Sequence, residues 1–356
     1  MPSPGSAPEP DPTAPATGPA AGPAAGPATI GTVAQAAGVS RATVSRAFGQ
    51  PHRLRPETVE RVRAVASELG YTPNPVAQAL STGRSGNLAL VVPDIANPFF
   101  PPMIRAVQGQ AERAGYAVFL GDADEDPNRE DVLLTRLARQ VDGFVLASSR
   151  MSAARIREQA ERRPLVLVNR DVAGIPRVLI DTAGGVARAV ERLAELGHRR
   201  IAYLNGPARS WSNTQRLKAV RAAGARFDVA VVPLPARRPT FEAGRQAVPE
   251  LLGSGARAVV AFDDLVGHGV LAGLGERGLS VPADFSVVGC DDVLAAQAYP
   301  PLTTVSARSA EAGRAAVDLL AARLAGTSTG DVRLTLETTL VPGATVAAPP
   351  HRTDPH

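Results

Sequence analysis

A chain of 356 residues with 44% hydrophobic content can build two or three domains around sizeable cores. Its single cysteine excludes an intramolecular disulfide, no apolar run reaches the length of a membrane span, and residues 1–28 lack the apolar segment of a secretion signal, so a cytoplasmic chain is expected. The formal net charge is only +4, yet residues 29–86 carry seven arginines against Glu57, Glu60 and Glu68, while residues 1–28 carry only Glu9 and Asp11. That local basic excess points to a nucleic-acid contact in the first quarter of the chain. Lys218 is the only lysine, which coding composition explains as well as function does.

In chain order, residues 1–28 are rich in Ala, Pro and Gly and read as a disordered arm. Thr29 to Arg46, TIGTVAQAAGVSRATVSR, then has the spacing that two helices need to cross at a tight turn. Val33, Ala37, Val39, Val44 and Ala47 can share one small core, Ala34 is small at the crossing, Gly38 supplies the turn and Ser40 caps the second helix. This is a helix-turn-helix pattern, with an ordinary helical hairpin as the bland alternative. Its second helix, roughly Arg41 to Phe48, turns Arg41, Ala42, Thr43, Ser45 and Arg46 outward, a surface suited to guanine edges and phosphates. A third helix runs from Pro56 to about Leu69, and Gly70 ends it.

From Leu88 onward short apolar runs alternate with amphipathic helical segments, the pattern of parallel βαβ units. Strands are predicted at Leu88–Val92, Ala117–Leu120, Gly143–Ala147, Leu165–Val168, Ile201–Leu204, Val229–Val232, Ala258–Ala261 and Ser286–Cys290, with helices between them such as Thr182–Leu196 and Leu265–Arg277. Polar clusters follow several strands: Asp94 and Asn97, Gly121 and Asp122, Asn169 to Asp171, Asp263 and Asp264, Asp291 and Asp292. Ligands of open α/β sheets bind there. Asp122, Asp124, Glu125 and Asp126 could form a cation site, but they also precede a helix starting near Pro127, where acids favour the helix N-terminus. The five histidines lack ligand spacing, Cys290 reads as a buried small hydrophobe, and no nucleophile elbow, phosphate loop or dinucleotide fingerprint occurs. No catalytic residue, metal or cofactor is predicted.

Seven blocks in order, VAQAAGVSRATVSR, ELGYTPNPVAQAL, VVPDIANPFF, RQVDGFVLAS, LGHRRIAYLNGP, DFSVVGCDD and PPLTTV, resemble the LacI/GalR family of bacterial transcription regulators, from about Thr29 to about Pro342. The resemblance implies an all-α helix-turn-helix headpiece joined by a hinge helix to an α/β, two-lobed, periplasmic-binding-protein-like (Rossmann-like) effector domain. The implied division is an arm at 1–28, the headpiece at 29–72, hinge and linker at 73–86, the effector and dimerisation domain at 87–342, and a flexible tail at 343–356. Arg41, Ala42 and Arg46 match base-reading positions and Thr43 and Ser45 backbone-contacting ones, with Ser40, Tyr71, Asn74 and Ala77 completing the DNA set. Ala42 can offer only apolar contact. Asn74 to Leu80 matches the hinge helix, in which Leu80 is the leucine that wedges into the minor groove.

For the effector pocket the resemblance implies Phe99, Phe100, Asp122, Asn169, Arg170, Arg216, Asp263 and Asp291, of which Arg216 and Asp291 suit vicinal hydroxyls or a polar ring edge. Two departures stand out: Pro239 replaces a common aromatic platform, and Asp263 replaces a common Asn. The implied molecule is a homodimeric repressor on a pseudo-palindromic operator, released or tightened by a small molecule, with a sugar or sugar derivative leading and a nucleoside or amine-bearing metabolite open. A solute-binding protein of a transport system, the reading from another class, predicts a secretion signal and no headpiece. A coiled-coil tetramer is not expected, because no leucine heptads follow Leu340.

Overall fold

Local chemistry fixes the first unit, which extends to Gly83; the second begins at Arg84. The structure is a computed structural model describing residues 28–72, 83–235, 237–297, 299–328 and 330–350. Helix α1 (Ile30–Ala36) starts at a capping box in which the Thr29 hydroxyl accepts the Thr32 N–H and the Thr32 hydroxyl accepts the Thr29 N–H. Gly38 turns the chain at a φ of +65°, and Ser40 Oγ accepts the Thr43 N–H at 3.1 Å to start α2 (Arg41–Gly49). Pro56 opens α3 (Pro56–Glu68). Val33, Ala34, Ala37, Val44, Ala47, Val62 and Ala66 are buried together, with Val39 half-buried beside them. The hinge residues Asn74, Ala77 and Leu80 lie outside the described residues, as does the arm at 1–27.

In the second unit, strands covered on both faces need near-continuous apolar sequence, which is why runs such as Leu88–Val92, Gly143–Ala147 and Leu165–Val168 became strands. Strands β1 (Asn87–Val92), β2 (Ala117–Asp122), β3 (Gly143–Ala147), β4 (Leu165–Val168) and β5 (Arg177–Ile180) join β11 (Arg333–Leu336) in a parallel sheet of order β11-β5-β4-β3-β1-β2. Around it lie α4 (Phe100–Arg113), α5 (Pro127–Leu137), α6 (Ala153–Arg162) and α12 (Ser309–Leu324). The second lobe carries a parallel sheet of order β7-β6-β8-β9, from β6 (Arg200–Leu204), β7 (Ala230–Leu234), β8 (Ala258–Ala261) and β9 (Ser286–Val288). Its helices are α7 (Thr182–Glu195), α8 (Trp211–Arg226), α9 (Phe241–Gln246), α10 (Val248–Gly253) and α11 (Asp264–Gly275).

The chain passes between lobes after β5, after β10 (Thr304–Val305) and after β11, and β10 pairs antiparallel with β12 (Leu340–Val341). These crossovers are tied to one another. The Thr338 hydroxyl donates to the Asp181 carbonyl at 2.8 Å, Arg188 donates to the Thr338 carbonyl, and a Cβ on Gly185 would fall 2.2 Å from Val305 Cγ1. The last segment corrects one expectation: residues 343–347 are not a free tail. Thr345 is fully buried, donates to the Val287 carbonyl at 2.6 Å and accepts the Thr303 N–H at 2.8 Å. Backbone polar groups of the second lobe's edge thereby gain partners.

Candidate DNA-reading helix and effector cleft

On α2 the buried Val44 and Ala47 fix which face points outward, leaving Arg41, Ala42 and Arg46 exposed and Thr43 and Ser45 half-exposed. The Ser40 and Thr43 hydroxyls hydrogen-bond each other at 2.9 Å, so both serve the helix start. The Arg41 guanidinium lies over Gly31, whose missing side chain leaves room for it. Neither Arg41 nor Arg46 is ion-paired among the described residues, so both guanidinia are free to meet phosphates or guanine edges. Tyr71 packs its ring on Phe48, centroids 6.0 Å apart, and thus supports the core as well as standing near the proposed DNA face.

The cleft is assembled by strand ends. Asn97, Phe99, Phe100, Glu125, Ser148, Arg150 and Asn169 line a cavity of about 380 Å³ from one lobe, and Ser210, Ser212, Arg216, Pro239, Phe262, Asp263 and Asp291 from the other. Glu125, Ser148, Asn169 and Asp291 hold positive φ angles of 60°, 48°, 51° and 126°, a conformation costly for non-glycine residues and concentrated at functional loops. Asn169 Oδ1 accepts the Ile180 N–H at 3.0 Å, which leaves its amide N–H groups as donors.

Arg216 is the centre of the site. It is 3% exposed, donates from Nε to the Thr182 hydroxyl at 2.9 Å and from Nη1 to the Phe262 carbonyl, and pairs through Nη2 with Asp291 at 3.4 Å. Its guanidinium also stacks 4.9 Å from the Phe262 ring, which fits only because position 206 is glycine. Asn213 accepts from Tyr203 Oη and from the Gly206 N–H, both at 3.0 Å, and so fixes the start of the helix that carries Arg216. Burial pushes the Asp291 carboxyl well up, against the opposing pull of Arg216.

Asp263 has a structural part that its sequence position did not reveal. One carboxylate oxygen caps α11 by accepting the Val266 N–H at 2.8 Å, and the other accepts from Asn97 Nδ2 of the opposite lobe at 2.9 Å. Burial pushes its pKa up to about 6, with the Val266, Asn97 and Arg216 contacts pulling the other way.

Two expected pocket residues do not line the cavity. Asp122 turns back to accept the Asp124 N–H at 2.9 Å, closing the loop after β2. Arg170 reaches the Met151 carbonyl at 2.8 Å behind the strand ends, where burial lowers its pKa. The acidic run after β2 divides its work: Asp126 caps α5, Glu125 pairs with Arg150 at 2.5 Å, and Asp124 pairs across the lobes with Arg238 at 2.5 Å. Residues missed from sequence are Ser148, Arg150, Ser210, Ser212 and Phe262; their place just after strands, or at the start of the helix that follows one, was the only available signal.

Residues 29–74 match the model of bacterial regulatory proteins of the lacI family, and residues 190–346 match a periplasmic binding protein-like domain. Over 332 residues the chain is 34% identical to the transcriptional repressor CytR of Escherichia coli K12, covering 90% of this chain and 97% of that one. The regulator CelR of Thermobifida fusca is 34% identical over 333 residues, covering 88% and 96%. Among solved structures, the Lac repressor dimer bound to operator and the anti-inducer ONPF matches with a TM-score of 0.80 at 27% identity, over 90% of this chain and all of that one. With the headpiece pattern and the two-lobed cleft both present and both matched along almost the whole chain, the protein belongs to the lacI family of bacterial regulatory proteins, a DNA-binding transcription regulator and not an enzyme.

Proposed function

We propose that the protein is a homodimeric cytoplasmic repressor whose hold on a pseudo-palindromic operator is set by a small hydroxylated metabolite, a sugar or sugar derivative, in the interlobe cleft. The observation that carries this reading is the lining itself. Arg216 with Asp291, the free amide donors of Asn169, and the Ser148 and Ser212 hydroxyls can bind neighbouring hydroxyl groups, while Phe99, Phe100 and Phe262 offer apolar ring faces. The complex of the regulator CelR with cellobiose, 32% identical with a TM-score of 0.68, supports a carbohydrate effector. An amine-bearing ligand is less favoured, because both Asp263 oxygens already accept hydrogen bonds.

On the operator, Arg41, Ala42 and Arg46 read bases, Ser40, Thr43 and Ser45 meet the backbone, and Tyr71, Asn74, Ala77 and Leu80 carry contact into the hinge and minor groove. Because effector and operator are coupled through one molecule, a ligand that weakens DNA binding is itself held less tightly on DNA. The test is selection of bound sequences from random DNA, followed by titration of monosaccharides, disaccharides and nucleosides against the recovered site. A two-fold-symmetric sequence is expected, with one sugar class shifting its affinity at least tenfold and Arg216→Ala losing that response while retaining DNA binding. Recovery of no symmetric sequence, or a response unchanged in Arg216→Ala, would overturn the reading.

A further inference from the structure

Beside the cleft lies a second cavity of about 580 Å³ lined by Glu125, Arg150, Pro207, Ala208, Arg209, Arg237 and Arg238. It shares Glu125 and Arg150 with the effector cavity, so the two adjoin at the cleft mouth. Among the described residues that line it are four guanidinium groups and one carboxylate.

That carboxylate is already neutralised. Arg150 is 6% exposed, donates to both Glu125 oxygens at 2.5 and 2.9 Å and to the Ser148 carbonyl at 2.7 Å, and forms a fixed sill between the cavities. Arg238 pairs with Asp124 at 2.5 Å, both partners more than half exposed, and Arg237 pairs with Glu250 at only 3.5 Å, both 41% exposed. Exposed pairs of this kind exchange readily with a better anion, since each is worth little in water. Arg209 has no ionic or hydrogen-bonding partner among the described residues. The mouth therefore holds one uncompensated guanidinium and two loosely held ones around a concave space, a geometry that matches the planar forks by which arginine grips phosphate and carboxylate. The polarity runs along the cleft: hydroxyl-binding groups at the Arg216–Asp291 end, cationic groups at the mouth.

We propose that the cleft mouth is an anion subsite, and that the effector is a hydroxylated metabolite carrying a terminal phosphate or carboxylate held by Arg209, Arg237 and Arg238. The inference rests on the reading of the cleft as the effector site, yet the subsite can be tested without knowing the effector. Inorganic phosphate and acetate are titrated into the full-length protein by ligand-detected NMR at ionic strength held constant with chloride. The same titrations use Arg209→Ala/Arg237→Ala and the charge-retaining Arg209→Lys/Arg237→Lys. Saturable binding is expected, weakened at least tenfold in the alanine variant and largely restored in the lysine variant, with thermal midpoints unchanged because the side chains are exposed; the tighter anion identifies the charged group. Binding that is equal in wild type and the alanine variant places the anions on the headpiece or elsewhere and overturns the subsite, as does the absence of saturation. If the subsite binds phosphate but no phosphorylated or neutral sugar moves operator affinity, the effector reading fails and the subsite stands; if neutral sugars act and the anions do not bind, the reverse holds.

Discussion

Asp263 is 1% exposed, and burial pushes its carboxyl from the ordinary aspartate range up to about 6, so the folded chain holds this proton more tightly than the unfolded one. The sign follows: its contribution to stability is fully present below pH ~4 and is lost as pH rises through ~6, about 1 to 3 kcal/mol in all. Asp263→Asn keeps the helix cap but sets two amide donors against each other at Asn97, whose oxygen already accepts the Phe99 N–H at 2.9 Å. The variant is expected to lie within about 1 kcal/mol of wild type at pH 7.5 and to lose much of the stability slope between pH 4 and 6. Urea melts across that range measure the difference, and identical slopes would show that Asp263 titrates normally. At the DNA face, Arg46→Ala removes an exposed guanidinium that has no ion-pair partner among the described residues. Specific binding should weaken by about 1 to 3 kcal/mol while the melting temperature holds. Anisotropy titration with the selected site decides it; unchanged specific affinity places base reading elsewhere.

At the scale of elements, the crossovers depend on one glycine. Gly185 on α7 sits where Val305 and Thr338 of the other two crossovers converge, with Val305 Cγ1 2.2 Å and Thr338 Oγ1 2.7 Å from where its Cβ would be. Alanine's better helix propensity cannot offset that overlap, so Gly185→Ala is expected to cost about 1 to 3 kcal/mol. Thermal denaturation reads this directly; a stabilised variant would mean that the crossover segments can move apart freely. The recognition helix has a comparable local dependence. Loss of the Ser40 cap in Ser40→Ala should destabilise the headpiece by about 1 kcal/mol, visible as faster amide exchange across α2.

For the whole molecule, β2 is an edge strand of a parallel sheet, and such edges are normally covered. Here Phe119 and Leu120 are 40% and 38% exposed on it, with Val132 of α5 exposed nearby. The proposed two-fold-symmetric operator calls for a second copy of the chain as the occupant of this edge. Phe119→Asp is expected to shift sedimentation toward monomer and to lower affinity for the full palindrome at least tenfold, with little loss on a half-site. A variant that remains dimeric would assign dimerisation to another surface.

The sequence by itself determined the headpiece, because a helix-turn-helix is made of local signals: capping hydroxyls at Thr29 and Ser40, a turn glycine at Gly38, and apolar residues at helical spacing. It also determined most strands, since burial on both faces leaves a continuous apolar signature such as Leu88–Val92. It did not reveal β5 or β11, whose Arg177 and Arg333 pair with each other across 156 positions, nor the two-residue strands β10 and β12. In the cleft, Phe99, Phe100, Asn169, Arg216, Asp263 and Asp291 were legible from family resemblance, and the cavity contains them. Asp122 and Arg170 do not line it, because a position after a strand does not say which way the side chain turns. The arginine mouth was invisible in sequence for a deeper reason. Arg150 belongs to one lobe and Arg209, Arg237 and Arg238 to the other, so their shared electrostatic field exists only once three crossovers have brought the lobes together.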